Sequence, residues 1–259
     1  MKMSRLERYK NGERTEVWKE LIALGASLDA DAHSVIDEVA RRVRDNIFKL
    51  KDSANDLGYR FLRAQGPFVL RTEATLAQIG RAEQEWGRFP RLVRRLYEVF
   101  EYIDFSQDEK QSDEQYEAGP LRGMGNYPQL LMLSLEEAAD LRKDHDEACD
   151  ESDNLLTEVM RKRGEEYILP DRESYLLLGP CASNNSMKGF TLPCHSVDAV
   201  YFNDGGGDTF YYDDLRHIFR SGGFPQVMLY AHHDGMRRTF GMQDPQRILD
   251  YLTRNLEPL

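Results

Sequence analysis

Cysteine is scarce in this chain, with only Cys149, Cys181 and Cys194 among 259 residues. An odd number cannot all pair within one molecule, and so sparse a set excludes a disulfide-built scaffold. The three thiols read as small buried hydrophobes in a reducing compartment. Long apolar runs are missing too. A stretch such as 175–178 is far short of the roughly 20 residues a spanning helix needs, and the opening MKMSRLERYK lacks the apolar segment of a secretory signal. The expectation is a cytoplasmic protein with no membrane association.

What the chain does have is a hydrophobic content of 41%, enough for a real core, and a net charge of −11. The charge is polarised: residues 1–100 carry a net +4 and the remaining 159 a net −15. An acidic body repels nucleic acid and steers a basic partner, although surplus acid also serves solubility alone.

Helical periodicity dominates the first third. Val17, Trp18, Leu21, Ile22 and Leu24 recur at helical spacing before Gly25. Val35, Val39, Val43, Ile47, Leu50, Ala54 and Leu57 mark a second helix, from near Asp31 to Gly58, of about 25 residues and roughly 37 Å. Its stripe must pack on the first helix and on the body behind, because propensity alone would not hold it. Arg41, Arg42 and Arg44, with Asp37, Glu38 and Asp45 beside them, read as a solvated face. Residues 1–65 thus form a helical hairpin, and residues 66–259 an α+β domain.

Within that domain Thr75 and Gln78 have capping-box spacing, Leu76, Ile79 and Trp86 share a face, and Gly87 ends the helix. Pro90 opens a further helix with Leu92, Val93, Leu96, Tyr97 and Phe100 inward, before a strand near Ile103. Residues 108–164 form an acidic insertion. It begins as a polar loop and becomes helical where Ser134 and Glu137 repeat the capping spacing, with Arg161, Lys162 and Arg163 suiting its C-terminus. From Tyr167 short apolar runs bounded by Pro, Gly, Asn and Asp predict an antiparallel sheet with tight turns. DPQRILDYLTRNLEPL closes the chain as an amphipathic helix with Ile248, Leu249 and Leu252 inward.

A helix ending in Trp86-Gly87, a proline-started helix bearing Leu96-Tyr97, then YIDF, and later GGGDTFYYDDLRHIF, together resemble the SUKH superfamily. That superfamily groups yeast cell-wall-synthesis regulators with bacterial toxin-immunity proteins, and the resemblance covers about residues 70–225. The chain is also similar to a set of uncharacterised bacterial proteins sharing segments like RRVRDNIFKL, LGYRF and FRSGGFP. The resemblance implies a SUKH-like antiparallel sheet with flanking helices, and a basic toxin domain as partner.

Candidate sites are few. The turn from Asn203 to Asp208 could hold a cation through its carboxylates or an anion through its amides, but it lacks calcium-loop spacing and a phosphate-loop lysine. A plain tight connection, with Thr209 or Asp208 capping the next helix, explains it as well. His145 and Cys149 are four apart on a helix, and Cys181, Cys194 and His195 are distant; zinc sites usually show two close ligand pairs. Cys194 beside a histidine could be a nucleophile, yet packing explains it more simply. His232-His233-Asp234-Gly235 suits a metal, a pH switch or a polar turn. No acid/base dyad stands out, so no catalytic residue, metal or cofactor is expected.

The leading expectation is a non-enzymatic binding module that masks a basic protein partner with an acidic face, at Glu147, Asp150, Glu151 and Asp153 and at Asp204, Asp208, Asp213 and Asp214. The alternatives are a metal-dependent hydrolase using the C-terminal histidines, and a regulatory scaffold. Tyr97, Phe202, Phe210 and Phe219 are expected in the core.

Overall fold

The computed structural model describes residues 3–106, 121, 130–162, 174–180, 187–203, 209–232 and 244–259. Its spine is α3 (Ala30–Asp56), opened by Asp29, whose side chain accepts from the Ala32 amide. The expected stripe is there: Val35, Val39, Val43, Ile47 and Leu50 are all fully buried. Before it come α1 (Arg5–Lys10) and α2 (Arg14–Ala23). The six-residue α1 was not anticipated. It carries little apolar content, and what starts it is a capping box between Ser4 and Glu7.

The body begins with β1 (Phe68–Leu70), α4 (Glu73–Trp86), α5 (Arg91–Tyr97) and β2 (Phe100–Asp104). The box at the start of α4 is not Thr75 with Gln78. Thr72 is the cap and Thr75 its reciprocal partner, so the helix starts three residues earlier than that pairing implies. Gly87 ends α4 at φ +103°, and a Cβ there would stand 3.1–3.2 Å from Pro193. Both the backbone angle and the close approach therefore require glycine.

Then follow β3 (Leu131–Met132), α6 (Leu135–Lys162), β4 (Ser174–Pro180), β5 (Met187–Leu192), β6 (Val200–Asn203) and β7 (Thr209–Phe210). The chain closes with α7 (Tyr211–Arg220), α8 (Pro225–His232) and α9 (Pro245–Thr253). The strands make two antiparallel sheets, β1-β2-β3 and β4-β5-β6-β7, so the fold is α+β as expected. The Leu133 amide donates to Leu178 O at 3.1 Å and ties one sheet to the other.

One apolar cluster draws on residues from both ends of the chain, from Tyr9, Val17 and Leu21 through Val43, Leu92 and Phe100 to Phe190, Leu215 and Leu259. A second, around Ala54, Tyr59, Phe224, Ile248 and Leu252, seats α8 and α9 beneath α3. Of the four aromatics expected in the core, Tyr97 and Phe219 are buried. Phe210 is only half-buried, because it sits at the end of a two-residue edge strand, and the side chain of Phe202 lies outside the described residues.

Arg41 and Arg42 correct the reading of a solvated face. Arg42 is buried and donates to Glu38 and to Pro258 O, while Arg41 holds Glu38, Asp45 and Glu257. Buried Asn46 adds a two-way clamp, its amide donating to Glu257 O at 2.8 Å while its carbonyl accepts from Glu257 N at 2.7 Å. The stretch after α9 is thereby laced to the spine.

Candidate functional site

The acidic element is α6. Ser134 and Glu137 form the expected capping box, and Leu135 and Ala138 are buried, anchoring the first turns on β4 and α4. At 28 residues the helix is roughly 42 Å long, and among the described residues of its outer part none is fully buried. Every residue from Asp150 to Glu158 except Asp153 is exposed, over more than two turns. Leu155 and Leu156 stand 63% and 42% exposed there. Between Lys143 and Arg161 the helix carries seven acids and no lysine or arginine.

Of the expected contact residues, Glu147, Asp150, Glu151 and Asp153 lie on this helix. Glu147 faces Lys143 at 3.7 Å, both well exposed, a pair of little energetic weight. Asp213 and Asp214 sit in the first turn of α7, on a separate support, and Asp213 pairs with Arg216 at 3.2 Å. Asp204 and Asp208, with the glycines between them, lie outside the described residues. So do Cys181, His233, Asp234 and Gly235, while His232 is the last residue of α8.

His145 and Cys149 do face one another on α6, Nδ1 to Sγ 3.6 Å, on an exposed surface. Among the described residues no third His, Cys, Asp or Glu joins them in a metal-holding group. Cys194 and His195 are not on a strand: they follow the end of β5, where the Cys194 amide donates to Arg88 O. Cys194 is half-buried, and that burial pushes its thiol pKa up, away from nucleophilic character. No helix among the described residues is long and apolar enough to cross a membrane.

The start of α7 departs from expectation. Thr209 does not cap it, and Asp208 lies outside the described residues; the N-cap position is Phe210, which has no side-chain acceptor. The acceptor comes from fourteen residues earlier. Buried Asp198 takes the Tyr212 amide at 3.1 Å, its neighbour Ala199 N at 2.9 Å and the Trp18 indole N–H at 2.9 Å. Trp18 stacks on the Tyr212 ring at 4.1 Å, and the Tyr212 hydroxyl meets that of Tyr9 at 3.1 Å. One carboxyl thus joins α2, the approach to β6 and α7. Its burial raises the pKa to about 6, against the opposing pull of the three N–H donors.

Set beside family models, curated proteins and solved structures, the chain finds no match. Its chemistry is therefore read from its own geometry. Sequence reasoning passed over a group that this geometry assembles: Arg14 at the start of α2 with Arg216 and Arg220 of α7, around one cleft. No local pattern signals it, since its members are about 200 residues apart in the chain.

Proposed function

We propose that this protein is a non-enzymatic binding module that presents the outer half of α6 to a basic protein partner. The observation that carries the reading is the pair of exposed leucines, Leu155 and Leu156, on a helical stretch with no fully buried residue among those described and seven acids without an intervening lysine or arginine. A stretch whose leucines stay exposed gains little burial energy and rests on marginal propensity. A partner covering Leu155 and Leu156 would supply that burial, while Glu147, Asp150, Glu151 and Asp153 form the polar rim that steers and registers it. The SUKH resemblance of residues 70–225 narrows the partner to a toxin domain whose basic active site the acids would cover.

The test begins with capture by the intact chain at low salt, identification of the bound protein, and its recombinant production. Titrated against the wild type, the partner should bind more weakly as salt rises. The double substitution Leu155→Asp, Leu156→Asp should weaken binding about tenfold or more while helical content is kept. A partner that binds this variant and a Glu147→Lys, Asp150→Lys, Glu151→Lys variant as it binds wild type would sink the reading.

A further inference from the structure

Arg14, Arg216 and Arg220 line a cleft of about 330 Å³ between the start of α2, the second half of α7 and the segment after α9. Three guanidinium groups around one opening repel each other, and the chain as a whole carries −11, so the local sign runs against the global one. Glu257 and the last residue, Leu259, also line the cleft, and neither places a carboxylate within ion-pair distance of these three arginines. Glu257 is engaged from behind by Arg41 at 2.8 Å and by Lys49 at 3.5 Å. Arg216 shares one Nη between Thr15 Oγ1 and Asp213, and leaves its buried Nε without an acceptor. Arg14 is further from satisfaction. Its Nε is buried with no partner, and among the described residues neither Arg14 nor Arg220 has a carboxylate within ion-pair distance.

Two further features point the same way. The N-terminus of α2 has no side-chain cap, and Arg14 and Thr15, its first two residues, are in the cleft wall. The unfilled amides and the positive end of that ten-residue helix therefore add to the arginine field. The opposite wall is apolar, with Phe219, Leu256 and Pro258. A second cleft, between α3 and α5, makes the contrast. There Arg94 is held by Glu83 and Glu98, and Arg95 by Asp37 and Glu98, so these two arginines already serve as ion-pair partners.

We infer that the cleft formed by Arg14, Thr15, Arg216 and Arg220 binds a small phosphomonoester, its phosphate on the guanidinium groups and the α2 amides and its organic part against Phe219 and Leu256. Phosphate fits better than a carboxylate because it carries more charge and more acceptor oxygens for several forked donors. The volume exceeds what free phosphate fills and matches the lower end of small-ligand pockets. A nucleic-acid backbone is disfavoured by the acidic remainder of the molecule. This site is separate from α6 and does not depend on the partner reading.

The experiment uses the full chain with phenyl phosphate, inorganic phosphate and chloride at matched ionic strength, followed by calorimetry and by thermal melting. Phenyl phosphate should bind and raise the melting temperature, and inorganic phosphate should do so more weakly, since it lacks the apolar part. Arg14→Gln and Arg220→Gln should each weaken binding about tenfold. Arg220 is exposed, so Arg220→Gln should leave the ligand-free melting temperature unchanged or higher, which separates lost binding from lost folding. Equal melting in all three anions, or a phenyl phosphate response that survives Arg14→Gln and Arg220→Gln combined in one chain, overturns the assignment. A stronger response to inorganic phosphate than to phenyl phosphate also overturns it, because the apolar wall would then have no role.

Discussion

The two long helices α3 and α6 have nearly the same length, 27 and 28 residues, and both are highly charged, yet they do opposite things. In α3 the apolar stripe runs unbroken from Val35 to Ala54, and every stripe residue is buried. In α6 the apolar residues of the stripe, Leu135, Ala138 and Ala139, lie in its first turns; further on, the positions that continue it include Asp146, Cys149 and Asp153. Charge therefore does not decide which helix belongs to the core. What decides it is whether the apolar period persists over the full length, because burial energy accrues turn by turn. Even the charges differ in use. Those of α3 lace the closing segment of the chain onto the spine, while most of those on the outer half of α6 face solvent.

The contrast can be broken most strongly at the spine. Ile47→Ala, deep in the stripe, should cost about 2–5 kcal/mol in chemical denaturation, whereas Leu155→Ala on α6 should stay within about 0.5 kcal/mol. A next step down is Gly222→Ala, at the turn that leads from α7 into α8. Gly222 has φ +62°, and a Cβ would stand 2.5 Å from that of Leu252, so strain and clash together should cost about 2–4 kcal/mol by the same measurement. Asn46→Ala, which strips both partners from the Glu257 backbone, should cost about 1–3 kcal/mol and loosen the closing segment to proteolysis.

The smaller effects are pH-dependent and of opposite sign. Asp198 has a folded pKa raised to about 6 against an unfolded value near 4, so its burial favours the protonated form. Its contribution is fully present below about pH 4 and is lost as pH rises through about 6. Asp198→Asn should flatten that slope in melting temperature against pH. Glu38 behaves the other way: Arg41, with Arg42, holds its carboxyl at about 2, so its contribution is present above pH 4.5 and is lost as pH falls toward 2. Glu38→Gln should remove part of the acid sensitivity and leave the Asp198 window as it was.

Much of this layout was legible in the sequence, and for definite reasons. The period of α3, the Ser134–Glu137 box and the β4 to β6 runs are local patterns whose physics needs no knowledge of the rest of the chain. The start of α4 was misplaced because Thr75 is part of a real box, but as its third residue and not its cap. The start of α7 was illegible in principle, since its acceptor is Asp198 and that aspartate is fixed by Trp18, 180 residues earlier. The arginine cleft is hidden for the same reason. The acidity of α6 could be read directly, but the exposure of Leu155 and Leu156 on its outer turns depends on where the body ends.

The most direct test of the difference between the helices is amide hydrogen exchange on the isolated protein, read along α3 and α6 together. Amides from Val35 to Leu50 should exchange only through global unfolding, and those from Asp150 to Met160 should exchange orders of magnitude faster, with protection in α6 rising again toward Ala138. Equal protection along both helices would contradict the account, because the outer half of α6 would then be held by packing and would not be a surface waiting for a partner.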